Sequence, residues 1–131
     1  MKRMRCRIPV AIAVSAMTVM TVRAGDWNEI AVVPSDEPRF GPAHVYISDV
    51  QEQVLPGRGG RQIKFHMLVK TSGADPLDVV EVLWCETQTV KMLEAHLPNG
   101  MTSYPSGDFK PIDRMYARPD WEAFKALCHR D

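Results

Sequence analysis

Residues 61–70 alternate between apolar and polar side chains with a period of two. Ile63, Phe65, Met67 and Val69 fall on one side; Gln62, Lys64, His66, Leu68 and Lys70 fall on the other. Successive side chains of an extended chain point to opposite faces, so this spacing predicts a half-buried antiparallel strand. Upstream, the β-branched and aromatic run Val45-Tyr46-Ile47 opens a second strand that reaches Val54 or Leu55. Pro56-Gly57-Arg58-Gly59-Gly60 supplies permissive turn backbone between the two, which makes them a hairpin.

Thr71 to Asp78 is a polar connection containing Gly73 and Pro76. The strand that follows, Val79 to Glu86, sets Val80, Val82 and Trp84 against Val79, Glu81, Leu83 and Cys85. Both faces are mostly apolar, which predicts a central strand. Thr87 to Leu97 continues in the same style until Pro98-Asn99-Gly100, where Asn-Gly suits a tight hairpin. Asp26 to Pro42 reads as an irregular leading segment, because Pro34, Pro38 and Pro42 oppose a long helix or a central strand. Met101 to Pro119 reads as a long loop held down by Tyr104, Phe109, Ile112, Met115 and Tyr116. After Pro119, Asp120 suits a helix start, and Trp121, Phe124, Leu127 and Cys128 recur at helical spacing. The pattern predicts an α+β, mainly β, fold: a small antiparallel sheet or partly closed barrel with a C-terminal helix across it. It contains no internal repeat and no second domain.

The first 24 residues change this picture. Lys2, Arg3, Arg5 and Arg7 precede an apolar run from Ile8 to Val22, and Val22-Arg23-Ala24 ends in small residues. That order matches a secretory signal peptide cleaved after Ala24. The run is shorter than the roughly 20 residues of a spanning helix, so no stable membrane span is expected after cleavage. The domains are then a signal peptide, 1–24, and a single β-rich domain, 25–131. Five of the 16 basic residues and none of the 16 acidic ones lie in the signal, which leaves 11 against 16. A mildly acidic surface without a basic stripe argues against a nucleic-acid partner.

Export also decides the cysteines. Cys6 leaves with the signal, and Cys85 and Cys128 remain as an even pair in an oxidising compartment, which predicts one disulfide tethering the helix to the sheet.

Trp27-Asn28-Glu29, Thr71-Ser72-Gly73-Ala74, Val82-Leu83-Trp84-Cys85-Glu86-Thr87 and the aromatic terminal helix ending in Cys128 together resemble the CNP1-like family of small proteobacterial periplasmic proteins. The two-cysteine layout is also similar to surface-adhesin protein E. The resemblance implies an envelope resident with no assigned chemistry and no catalytic residues to carry over.

The chain offers little local chemistry of its own. His44, His66, His96 and His129 are separated by 22, 30 and 33 residues, without the short chelating pair usual in structural zinc sites. His66 falls on the polar face of its strand and reads as solvated. Glu81, Glu86 and Glu94 share one strand region and read as a solvated face. Gly57-Arg58-Gly59-Gly60-Arg61 matches neither the P-loop nor the dinucleotide fingerprint and reads as a hairpin tip. No catalytic constellation, metal site or cofactor is predicted.

The expected function is that of a non-catalytic exported envelope protein, periplasmic or secreted, binding an envelope protein or cell-wall component. Its contacts would come from Tyr104, Phe109, Tyr116, Arg58 and Arg61, since loops on a rigid scaffold commonly carry recognition. The alternative is a small periplasmic enzyme or metal-binding protein using His66 and His96.

Overall fold

The structure, a computed structural model, describes residues 26–57, 60–113 and 118–129. The segment read as a signal peptide, Arg58 and Tyr116 lie outside the described residues. Strands β1 (Asn28–Val33), β2 (Ala43–Leu55), β3 (Gly60–Thr71), β4 (Leu77–Trp84), β5 (Thr89–His96), β6 (Thr102–Ser103) and β7 (Lys110–Pro111) precede helix α1 (Arg118–Cys128). All strand pairs are antiparallel, in the order β1-β2-β3-β4-β5-β6, with β7 also pairing with β5. The sheet is open, so the partly closed barrel is not the form adopted.

The alternation of β3 becomes burial. Ile63, Phe65, Met67 and Val69 are buried, and they meet Val45 and Ile47 of β2, Val79 and Leu83 of β4, and Val33 of β1. On the same face α1 contributes Ala123, Phe124, Leu127 and Cys128, with Trp121 stacked on Phe124 at 5.2 Å between ring centroids. Phe65 and Phe124 are among the largest fully buried side chains. Each contributes about 2–3 kcal/mol through removal of apolar area from water.

The leading segment is not irregular throughout, as its prolines suggested. Residues 28–33 form β1, an edge strand that among the described residues pairs with β2 alone. Pro34, Pro38 and Pro42 all follow it, where their missing N–H groups cost no ladder bond. Two glycines are required by geometry. Gly100 adopts φ +89° in the β5–β6 turn, where Leu97 and Met101 close the hairpin. A Cβ on Gly60 would come within 2.5 Å of Trp84 Nε1.

Two fasteners hold the C-terminal end of α1. Cys128 forms the disulfide with Cys85, just past β4, at a Cα–Cα distance of 5.5 Å. Arg61 at the start of β3 donates to the helix-end carbonyls of Leu127 (3.2 Å) and Cys128 (3.3 Å) while its Nε pairs with Glu52 at 2.7 Å. A guanidinium there satisfies orphan carbonyls and complements the negative end of the helix dipole. Among the described residues no helix is long and apolar enough to cross a membrane.

Candidate metal centre

The sheet has a second face, opposite the helix, and its register assembles a polar corner there. Across the ladders, Ser48 stands opposite His66, His66 opposite Val80, and Val80 opposite Glu94. Asp78, two residues before Val80, is therefore the diagonal neighbour of His66, a separation that long side chains bridge. One step beyond the Val79–Ala95 pair, Asp78 also meets His96.

The side chains converge. Asp78 Oδ1 lies 2.5 Å from His66 Nε2 and 3.1 Å from His96 Nδ1. Each imidazole turns its other nitrogen toward a further carboxylate: His96 Nε2 to Glu94 at 3.0 Å, and His66 Nδ1 to Asp49 at 4.0 Å. The two rings meet edge to face at 5.2 Å, and Trp27 covers His66 edge-on at 4.7 Å. His66, Asp78 and His96 are half-buried, with side chains 19%, 31% and 32% exposed.

Asp49 reaches this corner by a backbone device. It lies in the β-bulge between Ser48 and Gln51 and adopts φ 53°, a left-handed conformation uncommon outside glycine. Bulges re-aim side chains and recur beside functional sites.

Electrostatics follow from this crowding of carboxylates. The hydrogen bond that His96 donates to Glu94 is the largest influence on the imidazole. With the negative charges of Asp78 and Glu94, it holds the imidazole above its ordinary value against a smaller opposing effect of desolvation.

One ligand atom from each of His66, Asp78 and His96 lies within 4.8 Å of the other two. Ligands about 2.1 Å from a tetrahedral ion stand roughly 3.4 Å apart, so small side-chain adjustments suffice to admit one. Two imidazoles and one carboxylate suit borderline transition metals such as zinc and copper. Glu94 then holds the outward ring nitrogen of His96, the arrangement that orients metal-bound histidines, and Asp49 stands 4.0 Å from that of His66.

The solvated reading of His66 is thus corrected: its ring is bonded to Asp78 and covered by Trp27. The solvated reading of the glutamates fails at Glu81 as well, which is only 2% exposed. Glu81 points to the helix face, where its partner is Asp120 in the first turn of α1, and its Oε1 has no hydrogen-bond partner among the described residues. Burial first, then the hydrogen bond and charge of Asp120, push the Glu81 carboxyl up to about 10. Asp120 is raised too, chiefly by burial. This pair braces the helix and lies on the opposite face from the histidines.

The remaining histidines are scattered: His44 pairs with Glu29 at 3.3 Å, and His129 meets Phe124 edge-on. Tyr104 stands 72% exposed, Phe109 packs edge-on against Trp84, and Arg61 is engaged at the end of α1. The structure brings His66 and His96 together, but Asp78, Asp49, Ser48 and the pairing of Glu94 were missed. One signal was present. The β3–β4 pairs are symmetric about Gly73, so a hairpin centred there places Asp78 diagonal to His66.

No known protein family, no curated protein and no solved structure matches the chain.

Proposed function

We propose that this chain is a non-catalytic exported protein that binds one divalent transition-metal ion at His66, Asp78 and His96. The single observation carrying this reading is the convergence of two imidazole nitrogens on one carboxylate oxygen, with each ring's other nitrogen facing a second carboxylate. Export rests on the signal-like N terminus and agrees with the Cys85–Cys128 disulfide, since such bonds persist in oxidising compartments. Three protein ligands at a half-buried corner leave a coordination position open, unlike the closed four-ligand structural zinc sites.

The test is metal content. Mature protein dialysed against zinc or copper should retain one ion per chain, measured by mass spectrometry of the metal. His66→Ala and His96→Ala should each abolish retention while leaving the fold intact by circular dichroism. Equal retention by wild type and both variants overturns the reading.

A further inference from the structure

The face that carries the histidine corner continues into a groove. Moving along β3 from His66, the next residues on that face are Lys64 and Gln62, opposite Val82 and Trp84 of β4. With Gln51, Glu52 and Gln53 of β2, residues Gln62, Lys64 and Val82 line a shallow cleft of about 290 Å³. At about 3.4 Å per residue, Lys64 lies roughly 7 Å along the strand from His66. Lys64 therefore stands two residues along the same strand face from the ion-binding corner, a spacing that one small molecule can bridge.

The chemistry of the cleft is specific. Its lining offers the amides of Gln51, Gln53 and Gln62, the aliphatic Val82, the Glu52 carboxylate and one cation, Lys64. Among the described residues no carboxylate forms an ion pair with Lys64. Glu52, by contrast, is neutralised by Arg61 at 2.7 Å and sets no opposing charge free. A second unmet group lies beside the corner: the Ser48 hydroxyl, directly opposite His66 in the ladder, is 1% exposed and has no hydrogen-bond partner among the described residues. A buried hydroxyl without a partner costs free energy until a water or ligand atom meets it.

We infer that the cleft and the metal corner form one composite site, which takes the ion together with a small dicarboxylate. One carboxylate fills an open coordination position beside His66. The other meets Lys64, and the glutamine amides bond its remaining oxygens. The positive charges of the ion and Lys64 offset the crowd of Asp49, Asp78 and Glu94, so an organic acid is admitted only when the ion is present. The inference rests on the metal-binding reading and adds the class of its co-ligand.

The experiment is calorimetric titration of succinate, a weak chelator, into zinc-loaded and zinc-free mature protein, with zinc content checked by dialysis before and after. Binding to the loaded protein alone is expected, with at least a tenfold loss in Lys64→Met. A chain that takes up neither zinc nor, in a parallel dialysis, copper overturns the metal reading itself. Zinc uptake without succinate binding overturns only the composite site. So does removal of zinc by succinate, or equal succinate affinity in Lys64→Met.

Discussion

Glu81 on β4 and Asp120 in the first turn of α1 face each other as two carboxyl groups between sheet and helix, one of them keeping its proton at neutral pH. The cause is burial: an ionised carboxylate there loses hydration and stands against a second one. The pair ties the N-terminal turn of α1 to the sheet, as the disulfide and Arg61 tie its other end.

The sign of the pH dependence follows. Glu81 ionises at about 4.5 in an unfolded chain and about 10 in the folded one, so the folded state binds the extra proton between those limits. Stability is fully present below the lower value and is lost as pH rises toward the upper one. Denaturant unfolding should show a decline of up to about 4 kcal/mol from pH 5 to pH 8. Glu81→Gln, which keeps a donor without a titrating proton, should flatten that slope.

Loss of the disulfide should release the helix end. The bridge spans a sequence separation of 43 residues. Chain-entropy arithmetic for a loop of that size gives at most about 4 kcal/mol. A Cys85→Ser/Cys128→Ser double variant should unfold at correspondingly lower denaturant concentration, and the disulfide-bonded protein in reductant should move the same way.

Arg61 acts on the same helix end without a covalent bond. Arg61→Ala removes two bonds to helix carbonyls and leaves the Glu52 carboxylate, 15% exposed, without its guanidinium. A cost of about 1–3 kcal/mol is expected from thermal unfolding. Retention of zinc should be unchanged, because Arg61 touches nothing in the histidine corner.

Carboxylates that orient the histidines should matter nearly as much as the ligands. Glu94→Gln should weaken metal affinity about 10–100-fold by competition titration, and Asp49→Asn, whose carboxylate stands 4.0 Å from the ring, by less. Asp78→Asn should weaken it further, since it changes a coordinating oxygen and leaves two imidazoles without their shared carboxylate.

The features legible along the chain were local ones. Period-two spacing in 61–70 set which side chains of β3 turn inward, and helical spacing at Trp121, Phe124, Leu127 and Cys128 set the buried stripe of α1. Such patterns are legible because each residue's direction depends only on its neighbours along the chain. The cysteine pairing was legible too, because only one intramolecular partner remained once Cys6 was assigned to the signal. The edge strand β1 was obscured, since the prolines that follow it masked an otherwise ordinary strand.

Only the tertiary structure decided the rest. His66, Asp78 and His96 lie on three different strands and meet because the ladders fall in one register, which no single segment encodes. Asp49 joins them through a bulge, which breaks the alternation that a sequence reading relies on. Glu81 became a buried acid because α1, 39 residues further along, closed over it and brought Asp120. Direction along a strand is a local property; proximity and desolvation arise only when distant segments are set side by side.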